Sequence, residues 1–226
     1  MKSRAMYVVL VAFALTACNH VAPHLNPYAN LLPADRAVSV SSAQIDPATL
    51  KDKTVAMVVS QNYETYTKNW RDMFERGGVE RAQASMQQIS AATGSSMGAT
   101  IAASAGSGRQ ESDPRRVLDD VQAVLKSAFG TIVVATDFAD AQDKKADYIV
   151  LFDLHLAGSA GGGALLTWGG VYMHDASAHQ LFKVENYTEA PRTLFDITST
   201  RAYRIAMERT ITALHTGLVA KLGLTK

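Results

Sequence analysis

DYIVLFDLHLA, residues 147–157, decides the fold. It is rich in β-branched and aromatic residues and holds no glycine or proline. Successive side chains of a strand point to opposite faces. Tyr148, Val150, Phe152, Leu154 and Leu156 therefore share one face, and Ile149, Leu151, Asp153 and His155 share the other. The first face is apolar throughout. The second turns polar at Asp153 and His155, which predicts a strand whose second face leaves the core near its end.

Working outward, TVAMVVS (54–60) and TIVVAT (131–136) are short apolar runs of the kind found in buried strands. Between them, residues 63–90 carry helical spacing. Trp70, Met73 and Phe74 form one apolar cluster, read as core, and Val79, Ala82, Met86 and Ile89 form another, with Gly77-Gly78 as a break. Asp113 suits a helix N-cap and Pro114 the first helical position. Val117, Leu118, Val121, Val124, Leu125 and Phe129 then share one face, and Gly130 ends the helix. Residues 137–146 read as a short polar turn and GSAGGG (158–163) as a loop. LLTWGGVYMHD and QLFKVENYTE read as two strands joined near Ala176–His179. From Ser199 to Leu222 a long helix sets Ala202, Tyr203, Ala206, Thr210, Ala213, Leu214 and Leu218 on one face, closed by Gly223. This order predicts an α+β two-layer sandwich, in which a mixed, mainly hairpin-connected sheet packs on amphipathic helices.

The chain opens MKSRAMYVVLVAFALTAC, with Lys2 and Arg4 ahead of an apolar run from Ala5 to Leu15. That run is too short for a stable span and has the layout of a secretory signal. Leu15-Thr16-Ala17-Cys18 resembles the lipobox of bacterial lipoproteins. The resemblance implies a diacylglycerol thioether on Cys18, cleavage ahead of it, and acylation (palmitate) of the new amino group. With Asn19 rather than Asp after the cysteine, it also implies the outer membrane, periplasmic face, as destination. Cys18 is the sole cysteine, so no intramolecular disulfide forms; its other reading is a buried small hydrophobe. The division expected is a signal peptide at 1–17, a lipidated, proline-rich tether at 18–50, and one periplasmic domain at 51–226 with an insertion at about 63–110. Four of the six prolines (Pro23, Pro27, Pro33 and Pro47) lie in the tether, where Leu31, Leu32, Val38 and Val40 could rest on the domain.

In element order, KTVAMVV, an amphipathic helix, ADYIVLFDLHL and the VYMHDA…QLFKV hairpin make residues 54–222 similar to periplasmic lipoproteins of the curli-secretion-channel and penicillin-binding-protein-activator type. The resemblance implies a small αβ core. The insertion at 63–110 departs from it, as does the turn Asp175-Ala-Ser-Ala-His179, and no functional residue is carried over.

Few residues invite chemistry. HDASAH places His174, Asp175, Ser177 and His179 within one turn, an inventory for a hydrolase or a metal. Triad members normally come from separate segments, and such a turn splays its side chains outward, with Asp and Ser bonding their own backbone. Asp153 and His155 make a second pair, read as polar residues at a strand end. GSAGGG lacks the pattern of a phosphate cradle. ATGSSMGATIAASAGSG (92–108) repeats small residues at Gly94, Gly98, Ala102 and Gly106. It reads as a loop, as a helix packed against the domain or another copy, or as a membrane-inserting element. From Ala91 to Gly106 a helix would span about 24 Å, short of the ~30 Å hydrocarbon core.

Without Lys2 and Arg4, 20 basic residues face 21 acidic ones, and no basic tract points to nucleic acid. The reading is a non-enzymatic accessory or assembly subunit, held at the membrane by lipid on Cys18 and working with an envelope protein partner. It calls for no cofactor, metal or catalytic residue. The alternatives are a membrane-inserting homo-oligomer through 91–108 and a small hydrolase using 174–179 with Asp153.

Overall fold

The computed structural model describes residues 25–32, 45–74, 111–160, 164–191 and 200–224. Cys18 and the 91–108 stretch lie outside them. The DYIVLFDLHLA stretch becomes β3 (Tyr148–Ala160), paired on both edges. On one side β1 (Thr54–Val59) runs parallel to it, from Val55 opposite Tyr148 to Val59 opposite Phe152. On the other, β4 (Ala164–Asp175) is antiparallel to it along its length, with an irregularity between Leu156 and Gly158. β5 (Gln180–Pro191) pairs antiparallel with β4, and β2 (Thr131–Val134) pairs parallel with β1. The order β2-β1-β3-β4-β5 thus joins a parallel half to an antiparallel half.

The helices are α1 (Gln61–Phe74), α2 (Arg115–Ala128), α3 (Phe138–Asp143) and α4 (Thr200–Lys221). Val150, Phe152 and Leu154, the buried even-numbered residues of β3, form the main core. They join Val171 and Met173 of β4 and the apolar faces of α1 (Tyr63, Tyr66, Trp70), α2 (Val117, Val121, Leu125) and α4 (Met207, Leu214, Leu218). At about 1.5–3 kcal/mol for each fully buried large side chain, this layer carries most of the stability. The opposite sheet face (Ala56, Val58, Ile149, Leu151, Tyr172) is covered by Phe138 and Ala141 of α3 and by Tyr28, Leu31 and Leu32 of the turn at 27–32. A 3-10 turn, Pro47–Asp52, buries Leu50, so packed residues precede Lys51.

The α+β sandwich is as the sequence predicts, and several local readings need correction. TIVV is a sheet edge rather than a buried strand, and Val134 is 71% exposed. The expected polar turn at 137–146 contains α3: Asp137 caps it by accepting the Asp140 N–H at 2.8 Å, and Phe138 is buried. Gly158 and Ala160, read as loop, continue β3. Pro114, rather than Asp113, stands at the N-cap of α2, and Asp113 one residue earlier accepts the Arg115 N–H at 2.9 Å. Phe129, with extended backbone, is the C-cap there, and Gly130 instead makes room for the Lys51 carbonyl. Gly223 closes α4 as expected. Its φ of 66° lets its own N–H reach the Ala220 carbonyl and the Leu224 N–H reach that of Val219. Trp70 is core, as read; the side chains of Met73 and Phe74 lie outside the described residues. Among the described residues no helix is long and apolar enough to cross a membrane.

Gly169 of β4 lies under α4. A Cβ there would stand 2.7 Å from Thr210 Cγ2 and 3.3 Å from Leu214 Cδ1. Gly169→Ala is therefore expected to lower stability by about 1–3 kcal/mol through overpacking. Urea unfolding would read this as a lower midpoint with an unchanged slope; an unchanged midpoint would place α4 elsewhere.

Candidate functional site

Polar side chains gather on the second sheet face, in two places. The first is where β1 ends. Its last sheet bond runs from the Ser60 N–H to the Phe152 carbonyl at 2.9 Å, after which the chain turns into α1. Ser60 caps that helix, its Oγ accepting the Tyr63 N–H at 3.1 Å. The same hydroxyl donates to Asp153 Oδ1 at 2.5 Å, and Asn62 Nδ2 donates to that oxygen at 3.1 Å. His155 Nδ1 lies 3.2 Å from Asp153 Oδ2. Asp153 is 0% exposed and His155 3%. The expectation that this face leaves the core at Asp153 is therefore corrected. β3 runs on past the end of β1, and α1 lies against the extension. A cavity of about 220 Å³ remains beside it, lined by Leu25, Gln61, Asn62, Asn69, Tyr66 and His155, with Thr65 and Leu156.

Serine, histidine and aspartate thus do meet, with a serine that no motif announced. Ser60 follows a strand and precedes a helix, and that N-cap position was the one signal for it. The wiring differs from that of a hydrolase. In a nucleophilic triad the imidazole stands between hydroxyl and carboxylate and takes the hydroxyl proton. Here the carboxylate stands between, and the hydroxyl proton is directed to Asp153. The Ser60 oxygen in turn accepts the Tyr63 N–H in capping α1. A buried carboxylate is costly unless donors meet it; Ser60 and Asn62 both donate to Oδ1, joining β1, α1 and β3, while Oδ2 accepts no hydrogen bond among the described residues and has the His155 ring 3.2 Å away.

The second place is around His174. Grouped with the solvated turn by the sequence reading, His174 is instead 0% exposed. It is the last inward residue of β4 on this face, opposite Ile149, whose carbonyl lies 3.3 Å from its Nδ1. Tyr28 Oη is 3.1 Å from His174 Nε2 and donates to Gln180 Oε1 at 2.9 Å. The Tyr28 ring meets Phe138, Tyr172 and His174 at centroid distances of 6.3, 5.6 and 5.6 Å. Burial lowers the His174 pKa to about 4. Burial, then the Glu185 carboxylate, raises the Tyr28 and Tyr172 phenols well above their ordinary range. Both phenols stay protonated and donate; Tyr172 donates to Glu185 Oε1 at 2.9 Å.

The rest of HDASAH behaves as read. Asp175 Oδ1 accepts the Ser177 and His179 N–H groups, each at 2.9 Å, and the turn is largely exposed. Asp153 and His174 face the same way but stand four pairs apart on the sheet, about 13 Å at 3.3 Å per residue. The residues of the hydrolase reading therefore do not converge. Among the described residues no three His, Cys, Asp or Glu side chains form a group that could hold a metal ion.

No family model matches the chain, and no curated protein matches it. Solved structures that match include two of the PelC dodecamer from Paraburkholderia phytofirmans, one of them a point variant. The variant is 11% identical with a TM-score of 0.34, the match covering 81% of this chain and 94% of that one. The other is 10% identical with a TM-score of 0.33, covering 82% and 93%. Both TM-scores are below the level that marks a shared fold.

The two polar sites make separate predictions. Ser60→Ala removes a cap and the shortest donor to a buried carboxylate, for an expected loss of about 1–3 kcal/mol in chemical denaturation. For His174, the folded pKa lies below the ordinary 6.5, so between pH 6.5 and about 4 the unfolded chain binds more protons. Stability should then fall as pH drops through that window, by on the order of 3 kcal/mol at its acid end. Thermal unfolding of wild type and His174→Gln across the window measures this, and parallel curves would refute it.

Proposed function

We propose that the protein is a lipid-anchored, non-enzymatic accessory or assembly subunit of the bacterial envelope, held at the outer membrane and facing the periplasm. The observation that carries this is Leu15-Thr16-Ala17-Cys18 directly after a basic start and a short apolar run. Two or more acyl chains at one residue hold a protein stably where one chain does so marginally. The geometry of the domain supports the non-enzymatic part. Ser60, Asp153 and His155, the group closest in composition to a catalytic set, are wired as a clamp between β1, α1 and β3. Anchoring raises the local concentration of the domain for a partner in the same membrane or close to it, which is how such a subunit would act without chemistry of its own.

Radiolabelled palmitate and intact mass on wild type and Cys18→Ser test the anchor. Label and added acyl mass are expected on wild type alone, and equal labelling of the two would overturn the reading. Crosslinking in native envelopes followed by affinity capture should return a specific envelope protein with wild type and much less of it with Cys18→Ser.

A further inference from the structure

We propose that the turn at residues 27–32 is a latch that fixes the point where the chain leaves the domain, so that the leash to Cys18 is about ten residues long rather than the roughly twenty-seven that would separate it from Ile45, the next described residue packed on the core. The length of the leash rests on the lipid-anchor reading above; the latch itself rests on packing.

Four kinds of contact hold the turn. Pro27 is buried and Tyr28, Leu31 and Leu32 are half-buried. Leu31 and Leu32 join the apolar cluster of the second sheet face with Ala56, Val58 and Ile149. The Tyr28 ring sits among Phe138, Tyr172 and His174, and its hydroxyl meets His174 and Gln180, at sequence separations of 146 and 152. Asn30, in the left-handed region at φ 63°, donates from Nδ2 to Gln61 Oε1 at 2.6 Å at the start of α1. Within the turn, Tyr28 N–H reaches Asn26 Oδ1 at 3.0 Å and Leu31 N–H reaches the Tyr28 carbonyl at 3.0 Å. One segment is thereby joined to α1, α3, β4 and β5.

Chain length turns this into a constraint. A fully extended chain covers at most about 3.6 Å per residue, so Cys18 can lie no more than roughly 36 Å from Tyr28. A chain free as far as Ile45 could extend to roughly 97 Å. The latched domain stays near the bilayer and presents a restricted set of faces away from it. Release of Tyr28 frees both height and orientation.

Two measurements test this. In the Cys18→Ser protein, hydrogen exchange at Tyr28 and Leu31 is expected to be slow and to quicken at least tenfold in Tyr28→Ala, with β3 amides unchanged. Tyr28→Phe, which keeps the ring and loses the hydroxyl, should fall between. Equal exchange in wild type and Tyr28→Ala overturns the latch.

The acylated chain is then placed in phosphatidylethanolamine–phosphatidylglycerol vesicles, with a donor dye on Asp143→Cys, an exposed position at the end of α3, and acceptors on the headgroups. Energy transfer should fall at least twofold in Tyr28→Ala. Unchanged transfer with acylation confirmed by mass overturns the short leash. Absence of acyl mass on wild type overturns the anchor reading and the leash with it, while the exchange result still decides the latch.

Discussion

A carboxylate shut away from water has to be met by donors, and much of this molecule is arranged around meeting Asp153. Its donors come from the end of β1 (Ser60) and the first turn of α1 (Asn62), both to Oδ1, and the next inward residue of β3, His155, lies beside Oδ2. To bring Ser60 there, β1 must stop at Val59 while β3 runs on to Ala160. α1 must start at once, because the hydroxyl that meets Asp153 also caps the helix. The sheet therefore changes character at this residue. Before it, β3 has strands on both edges; beyond it, β4 remains on one side and a helix lies on the other. The cavity beside His155 sits at that change, where a strand has been replaced by a helix of different width.

The parts legible in the sequence were those set by near neighbours. The even face of β3 showed in its period of two, α2 in its spacing and its Asp113-Pro114 start, and the end of α4 in Gly223. What escaped depends on residues far away in the chain. Asp153 and His155 look like the wet end of a strand because their cover comes from α1, which no local pattern connects to them. His174 looks like part of its polar turn because the residue that meets it is Tyr28. TIVV looks buried because its composition matches that of β1; edge or centre is a matter of sheet order, which composition does not encode. α3 is six residues long with one large buried residue, Phe138, too little for a helical period to show.

The two sheet faces divide the work of stability and placement. The helix-covered face is a broad apolar layer that tolerates little added volume, as the close approach of α4 to Gly169 makes plain. The other is smaller and carries phenols, two imidazoles and carboxylates whose contacts depend on geometry. Such polar contacts add modest net stability and strong penalties for misfit. They determine which segments dock there and in what position, while the apolar layer holds the sheet together.

The junction of parallel and antiparallel halves also separates short connections from long ones. β3, β4 and β5 follow one another closely along the chain and can pair as successive hairpins. Ser60 and Asp153 are 93 residues apart, so joining β1 to β3 must first close a long loop. The clamp at Asp153 is one of the contacts that hold this long loop closed, and the entropy of that closure is what its hydrogen bonds have to offset.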